Sequence, residues 1–467
     1  MRNQKAGKNK RDAFEQGAGR GRSVAGEYAA HAASAQIKKK VFMPKLTAPR
    51  GTQDLIPPQT GRWQELEARI HQLARNYGYG EIRTPLFEST DLFVRGVGEA
   101  TDIVEKEMYT FLDKAERSIT LRPEWTAPVV RAALQQNLFA QGPARLYYLG
   151  PIFRYERPQK GRYRQSHQFG IECFGYAGPE ADFEVIQLAW ELARSYGLGG
   201  VALNINSIGD SACRPRYRQA LLEHFRPHAA ELSADSQRRL EHNPLRVLDS
   251  KSPQDAAFLE SAPHMEELLC EPCREHFAML KHYLDEAEIP FVVDPRIVRG
   301  LDYYTRTVFE MTSDALGAQS ALCAGGRYDG LVESLGGPAV PAVGFALGLE
   351  RFLMILQASH ESEVQQRSGI QLIALGSRAR ERLVHLLGYL RQRGAGPTFM
   401  DYHDRKLVAQ LRMADRNGAR YALIAGSDEL ESGELVLRDL VTRADRTIPF
   451  AREKDTAASL VEWGLNG

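Results

Sequence analysis

The rhythm of apolar and polar positions changes several times along the chain, and those changes divide it. Residues 63–77 carry Leu66, Ile70, Leu73 and Ala74 at helical spacing and end at Gly78, which predicts an amphipathic helix stopped by a glycine. Glu81-Ile82-Arg83-Thr84-Pro85 reads as an extended piece whose proline marks an edge or an interface. Strand-like runs follow at 108–112, 118–121, 146–155 and 168–176, with helical patterns at 124–136 and 181–195. Closely spaced β runs with occasional helices favour a largely antiparallel sheet over a βαβ array.

From 211 to 285 the pattern turns helical and polar, and strand character returns at 291–294 and 307–311. That block therefore reads as a helical insertion into the sheet domain. A polar stretch at 357–368 reads as a linker. Beyond it, strands at 370–375, 398–402 and 421–425 alternate with helices at 379–391 and 406–415, the rhythm of an α/β domain with parallel pairing. The expected organisation is a basic arm (1–43), a sheet domain (44–356), the linker and a second domain (369–467), with no internal repeat.

A chain of 467 residues exceeds one ordinary core, and 43% hydrophobic with 25% charged residues is the balance of a globular protein. No apolar run reaches the roughly 20 residues needed to span a bilayer, so no membrane segment is expected. Five cysteines, an odd number, suit the reduced thiols of a cytoplasmic protein better than a disulfide framework. The net charge is only +1, so a nucleic-acid partner would have to be met by local basic patches. The first 42 residues are rich in Lys, Arg, Gly and Ala and too poor in large apolar groups to offset their ordering entropy. They read as a disordered basic arm that touches RNA, as a targeting peptide (against which Asp12, Glu15 and Glu27 argue), or as sequence ahead of a start at Met43-Pro44-Lys45.

The densest candidate for chemistry is Phe153-Arg154-Tyr155-Glu156-Arg157-Pro158-Gln159-Lys160-Gly161-Arg162-Tyr163-Arg164-Gln165. It reads as a strand, a basic glycine-containing turn and a returning strand. Guanidinium groups at both ends match phosphate oxygens bidentately; the competing reading is a solvated basic hairpin. Cys270-Glu271-Pro272-Cys273, with His276 nearby, invites a zinc reading. A structural zinc needs four ligands, no second pair is apparent, and no metal held by the protein is expected.

Phe153-Arg154-Tyr155-Glu156 and the basic loop after it are similar to motif 2 of class II aminoacyl-tRNA synthetases. Ile82-Arg83-Thr84-Pro85 resembles motif 1, and Gly344-Phe345-Ala346-Leu347-Gly348-Leu349-Glu350-Arg351 resembles motif 3. Two more stretches, Arg299-Gly300-Leu301-Asp302-Tyr303-Tyr304 and Ala324-Gly325-Gly326-Arg327-Tyr328-Asp329, resemble the histidine-specific motifs of histidyl-tRNA synthetases, as does Leu121-Arg122-Pro123-Glu124. Taken alone, Gly325-Gly326 would read as a simple turn. The likeness to that family runs from about Leu46 to Phe450.

The resemblance implies an α+β fold: a class II core of antiparallel sheet flanked by helices, a helical insertion, and a C-terminal α/β anticodon-binding domain. It implies ATP-dependent ligation of L-histidine to tRNA(His) through a histidyl-adenylate, with release of AMP and pyrophosphate. Glu124, Thr126 and Gln168 would hold the ammonium of histidine. Glu172 and Tyr304 would read its imidazole, with Tyr303 and Tyr328 near the pocket and Trp125 on its border. Arg154 would hold the α-phosphate of ATP, Glu156 the adenine amino group, and Arg162 and Arg351 the β- and γ-phosphates and the ring. Arg299 would face the α-phosphate from the opposite side, which makes Arg299 and Arg154 the catalytic pair. Mg²⁺ is expected with the nucleotide. Arg157 and Gln159 would meet the acceptor end of the tRNA, and Arg405, Lys406, Arg412 and Arg416 offer a basic helix face in the C-terminal domain. A homodimer in the cytoplasm is implied, with the motif 1 proline at its interface.

Two positions depart from the family pattern: Trp125 stands where glycine is usual, and Ser166 where a phenylalanine commonly stacks on adenine. Synthetase-like regulatory subunits of histidine biosynthesis are the main rival. They share the core but lack the C-terminal domain. A class II synthetase for glycine, threonine or proline is a further rival, against which the stretch from Arg299 to Tyr304 argues.

Overall fold

Sixteen strands and the helices between them build three sheets in the computed structural model, which describes residues 46–99, 101–157, 161–298, 301, 303–316, 321–359 and 367–464. The basic arm at 1–43, most of the linker, Gln159 and Arg299 lie outside the described residues. In chain order the strands before the linker are β1 (Gly80–Glu81), β2 (Phe87–Ser89), β3 (Tyr109–Leu112), β4 (Ser118–Leu121), β5 (Ala144–Phe153), β6 (Gln165–Phe174), β7 (Val201–Ser207), β8 (Phe291–Val293), β9 (Thr305–Ser313), β10 (Ala321–Arg327) and β11 (Ala342–Gly348). Eight of them form one sheet in the order β1-β5-β6-β11-β10-β9-β7-β8. From β5 to β7 every neighbouring pair is antiparallel, and only the edge strands β1 and β8 join in parallel. The antiparallel sheet expected from the short, closely spaced runs is thus the centre of the molecule. A small sheet, β2-β4-β3, stands apart from it.

Both faces of the large sheet are covered, which is why its central strands lose the alternation of a half-buried strand. The amphipathic helix Gln59–Asn76 turns Trp63, Leu66, Ile70, Leu73 and Ala74 inward, as its spacing predicts, and with helix Pro179–Ser195 packs one cluster. Helix Thr126–Gln135 and helices from the block between β7 and β8 pack a second cluster. That block holds Arg214–Phe225, Ala234–His242, Ala256–Glu260 and Glu271–Glu286. A buried side chain of Leu or Phe size contributes about 1.5–3 kcal/mol.

Gly325 and Gly326 are not a turn. They lie inside β10, paired with β11 and β9. A Cβ on Gly325 would sit 2.3 Å from the Gly344 carbonyl oxygen and 2.7 Å from the Phe309 ring, so glycine is what lets these layers close.

After the linker come β12 (Ile370–Ala374), β13 (Thr398–Met400), β14 (Tyr421–Ala425), β15 (Glu434–Asp439) and β16 (Asp445–Pro449), in the order β13-β12-β14-β15-β16. The first three pair in parallel as expected. The hairpin β15–β16 adds an antiparallel edge that the sequence reading did not foresee. Its inward residues, Leu435 and Leu437, do alternate, but charged neighbours and short length hid the signal. Among the described residues no helix is long and apolar enough to cross a membrane.

One buried ion pair locks several of these parts. Arg327, at the end of β10, is fully buried and donates from Nε to Asp182 at 3.1 Å and from Nη2 to the same carboxylate. It also donates to the carbonyls of Tyr176 and Gly178, each at 2.9 Å, and to Asp329 at 3.1 Å. His276 of helix Glu271–Glu286 approaches Asp182 to 3.3 Å from the other side. Burial alone would raise the Asp182 carboxyl, but the charge and hydrogen bonds of Arg327, together with His276, outweigh it and hold the group below the usual range. Removing one partner of such a pair leaves an uncompensated buried charge. Arg327→Met is therefore expected to lower unfolding stability by about 3–5 kcal/mol in urea titration. A loss under about 1 kcal/mol, the scale of a surface pair, would show that the pair is not holding the fold.

Candidate active site

Two adjoining pockets open where the β5–β6 hairpin meets β10 and β11. The first, about 160 Å³, lies between the loop after β5 and the start of helix Leu349–Ser359 and is lined by Arg154, Glu156, Arg162 and Arg351. The second, about 140 Å³, lies deeper, under Glu124, Thr126, Glu172, Tyr303, Tyr304 and Tyr328. Arg154, Gln168, Ala324 and Ala346 line both, so the pockets share a wall.

The β5–β6 register builds that wall. The strands pair from Ala144 opposite Phe174 to Phe153 opposite Gln165, and the pairing is extended by the Arg154 N–H donating to the Arg164 carbonyl at 3.0 Å. This pins the first residue of the basic loop, and the Arg154 side chain is aimed by its Nε–H on the Pro123 carbonyl at 2.7 Å. Glu156 stands between two guanidinium groups, 2.7 Å from Arg162 and 3.8 Å from Arg154. Arg351 is anchored on the Ala321 carbonyl. Burial and the charge of Arg162 hold Arg351 below the ordinary arginine range. Three cations around one carboxylate leave an excess of positive charge, the property of a site for a polyanion.

The second pocket is acidic. Glu172 is 1% exposed and accepts hydrogen bonds from the Thr126 hydroxyl at 2.8 Å and from the Tyr328 hydroxyl. Burial pushes its carboxyl up to about 8, against the pull of those hydrogen bonds. Glu124 accepts the backbone N–H groups of Thr126 at 2.6 Å and Ala127 at 2.9 Å, the free donors at the start of helix Thr126–Gln135. Its carboxyl too is raised by burial. The Gln168 Oε1 is buried without a hydrogen-bond partner among the described residues, an acceptor left over on the shared wall. The rings of Tyr303, Tyr304 and Tyr328 close the far side, with Tyr303 5.5 Å from Tyr328 and 4.7 Å from Tyr304.

The structure brings together in these pockets every expected site residue that it describes except Arg157, which is exposed on the loop beyond the first. Trp125 packs flat on Tyr148 (4.7 Å between centroids, 10° between planes), with the Arg122 guanidinium 3.3 Å over its other face. It is a buried floor as much as a lining. Ser166 does border the first pocket. Sequence reasoning missed Tyr148, which lines the second pocket opposite Gly170, and the pair His167–Glu350. Glu350 accepts the His167 N–H at 3.0 Å and lies 2.9 Å from the ring Nδ1, tying β6 to the helix that presents Arg351. A glycine facing a tyrosine across a predicted hairpin was the available signal for the first. A Cβ on Gly170 would fall 2.3 Å from the Tyr148 hydroxyl. A larger hollow, about 500 Å³, lies between Arg95, Arg131 and Leu335 and gathers no comparable set of groups.

Comparison with known proteins follows the same lines. The family description "Histidyl-tRNA synthetase" matches residues 51–352 and "Anticodon binding domain" matches residues 370–457. The chain is 50% identical to a histidine–tRNA ligase of Desulfitobacterium hafniense, over 84% of this chain and 93% of that one. It is 52% identical to a histidine–tRNA ligase of Desulforudis audaxviator, over 85% and 94% of the two chains. Among solved structures it is similar to apo histidyl-tRNA synthetase of S. aureus, with TM-score 0.74 and 38% identity over 90% of this chain and all (100%) of that one.

The close approach of β11 to β6 is testable at Gly344, which pairs with Glu172. A Cβ there would fall 2.1 Å from the Glu172 Oε2 and 2.3 Å from the Ile171 carbonyl oxygen. Gly344→Ala is expected to cost about 1–3 kcal/mol of stability by overpacking, read from the urea midpoint. An unchanged midpoint would mean that the carboxylate is not pressed against this strand.

Proposed function

The chain belongs to the histidyl-tRNA synthetase family, whose members ligate histidine to tRNA at the expense of ATP, and we propose that its two pockets divide that chemistry between them. The acidic pocket takes histidine and the basic one ATP. The observation that carries this reading is Arg154 on the shared wall, where a carboxylate bound on one side would meet a phosphate bound on the other.

Histidine offers a cation, an anion and an imidazole. Glu124 and the spare Gln168 oxygen suit its ammonium, and Thr126 helps to hold the acidic wall. Glu172, fixed by Thr126 and Tyr328, accepts one imidazole N–H, and the tyrosine cluster with Tyr304 encloses the ring. Side chains without two ring nitrogens would leave buried polar groups unpaired, the strongest kind of rejection. On the other side of the wall Arg154 holds the α-phosphate, Glu156 the adenine amino group, and Arg162 and Arg351 the distal phosphates. The histidine carboxylate attacks the α-phosphorus, pyrophosphate leaves, and the terminal adenosine of tRNA(His) then takes the histidyl group and frees AMP. The protein supplies positioning and charge stabilisation.

Mg²⁺ is expected to enter with the nucleotide, beside the arginine cluster. The charge of Glu310 acts on Arg351, and that of Arg154 and Arg162 on Glu107. Carboxylate oxygens are its preferred ligands, so Glu310 or Glu107 could help to hold it with the phosphates, whose charge it would offset. Arg157 and Gln159 would reach the tRNA acceptor end. In the C-terminal domain Tyr402, Arg405, Lys406, Arg412 and Arg416 are exposed together, an aromatic and basic face suited to single-stranded bases. Leu86, Phe87, Phe111 and Leu112 are exposed beside the motif 1 segment, an apolar patch that supports a homodimer interface there. The cytoplasm is the compartment where its tRNA substrate is charged. The C-terminal domain argues against the regulatory-subunit reading. Amino-acid-dependent pyrophosphate exchange decides the matter: histidine should support it, and glycine, threonine and proline should not.

The raised Glu172 carboxyl generates a pH prediction. In the empty pocket it is largely protonated below about 8, and a ligand that needs the carboxylate must displace the proton. Each unit below that value costs about 1.4 kcal/mol, or tenfold. Wild-type kcat/KM for histidine, divided by that of Glu172→Gln to cancel the titration of histidine itself, should climb toward pH 8 and level off above it. A flat ratio would show that the ionised carboxylate is not what reads the ring.

Arg299 is proposed as the second catalytic cation, a residue outside the described set that the histidine-specific motif assigns to the α-phosphate. Loss of such a group costs on the order of 10² to 10³ in rate. Arg299→Ala should slow single-turnover adenylate formation by that order while transfer from preformed adenylate to tRNA suffers much less. Adenylation within a few-fold of wild type would make Arg299 a surface residue.

A further inference from the structure

Away from the pockets, where the chain leaves β7 and where it returns toward β8, two short arms meet. One is Asp210-Ser211-Ala212-Cys213 and the other Cys270-Glu271-Pro272-Cys273. The Asp210 carboxylate and the three thiols offer one ligand atom each, and all four atoms lie within 4.8 Å of one another. We propose that these four residues bind a structural Zn²⁺ ion that staples the two ends of the helical insertion.

The geometry suits a four-coordinate ion. Zn–S bonds of about 2.3 Å in a tetrahedron put neighbouring sulfurs about 3.8 Å apart. The Cys270 Sγ lies 3.8 and 3.9 Å from the two Asp210 oxygens. The Cys270 N–H donates to the Cys213 Sγ at 3.1 Å, so that sulfur already acts as an acceptor. Each arm opens a helix: Cys213 precedes Arg214–Phe225, Cys270 precedes Glu271–Glu286, and both helices carry proline in their first turn. Two helix N-termini therefore point their positive ends at the cluster, which favours thiolates. Cys213 and Cys273 are fully buried, and Asp210 is braced by the backbone N–H groups of Ala212 at 3.0 Å and Cys213 at 3.2 Å. Arg306 stands 3.8 Å from Asp210 and offsets part of the negative charge. Gly209 is held open for the same purpose. At φ +62° it makes the turn, and a Cβ there would fall 2.6 Å from the Cys213 Cβ.

The sequence hid this site because its first arm starts with an aspartate, not a cysteine, and comes long before the second. His276, the nearest candidate in sequence, is not a ligand, since it faces Asp182. Three thiolates with a carboxylate select Zn²⁺ over the harder Mg²⁺ or Ca²⁺. The all-thiol alternative is a disulfide, and the five cysteines are free.

The test uses the full chain. Purified in reducing buffer after growth with zinc, it should carry one zinc per chain by plasma mass spectrometry after dialysis against metal-free buffer. The chelator-stripped, reduced chain should take up Co²⁺ with the visible bands of a tetrahedral site and a thiolate charge-transfer band. The double variant Cys270→Ser/Cys273→Ser should lose both signals. Asp210→Asn, which keeps shape and size, should weaken zinc at least about tenfold in competition with a chelating dye. Wild-type chain that retains no zinc and gives no tetrahedral cobalt spectrum overturns the proposal, whether or not the variants fold. So does a disulfide between these cysteines in metal-free, fully active protein.

Discussion

The guanidinium of Arg327 holds four segments at one point: the end of β10, the loop at Tyr176–Gly178, helix Pro179–Ser195 and, through Asp182 and His276, the last helix of the insertion. A charge this deeply buried is stable only where every donor finds an acceptor, and here each does. The next residue is Tyr328, whose hydroxyl fixes Glu172. The lock therefore sits one peptide away from the acidic pocket and sets the height at which that carboxylate is presented.

Two neighbouring volumes of opposite charge then follow from where each charged group is anchored. The carboxylates of the deeper pocket are tied to helix amides and hydroxyls, which are neutral donors, so neither is committed to a protein cation before a ligand arrives. The guanidinium groups of the outer pocket are tied mostly to carbonyl oxygens, with the same result. Strong direct pairing would have silenced both. Glu156 pairs with the cations directly, and it is shared between Arg154 and Arg162.

Much of this was legible beforehand. The helical spacing of Leu66, Ile70 and Leu73 and the strand runs at 118–121 and 146–155 correspond closely to observed elements, because local periodicity reports which side faces a core. The pocket residues were found through short motifs, which the register of β5, β6, β10 and β11 then assembles. What escaped reading was set by tertiary neighbours. Gly325 looks like a turn until Phe309 and Gly344 close over it, and Tyr148 has no signature apart from the glycine across the hairpin. The hairpin β15–β16 failed for another reason, since a short edge strand with charged residues resembles a loop.

The insertion leaves the sheet at Asp210 and its last helix opens at Cys270, and those two points touch. Chain entropy makes the cost of such a loop grow only slowly with length. The sheet consequently registers little of a change in the length of the exposed turns between them, although the inner helices pack against it. Residues can be gained, lost or exchanged in the exposed turns of the helical block while the distance between its two ends stays the same. In that sense the domain has a socket, and the outer turns of its helical attachment are free to diverge while the inner face, packed against the strands around the pockets, is not.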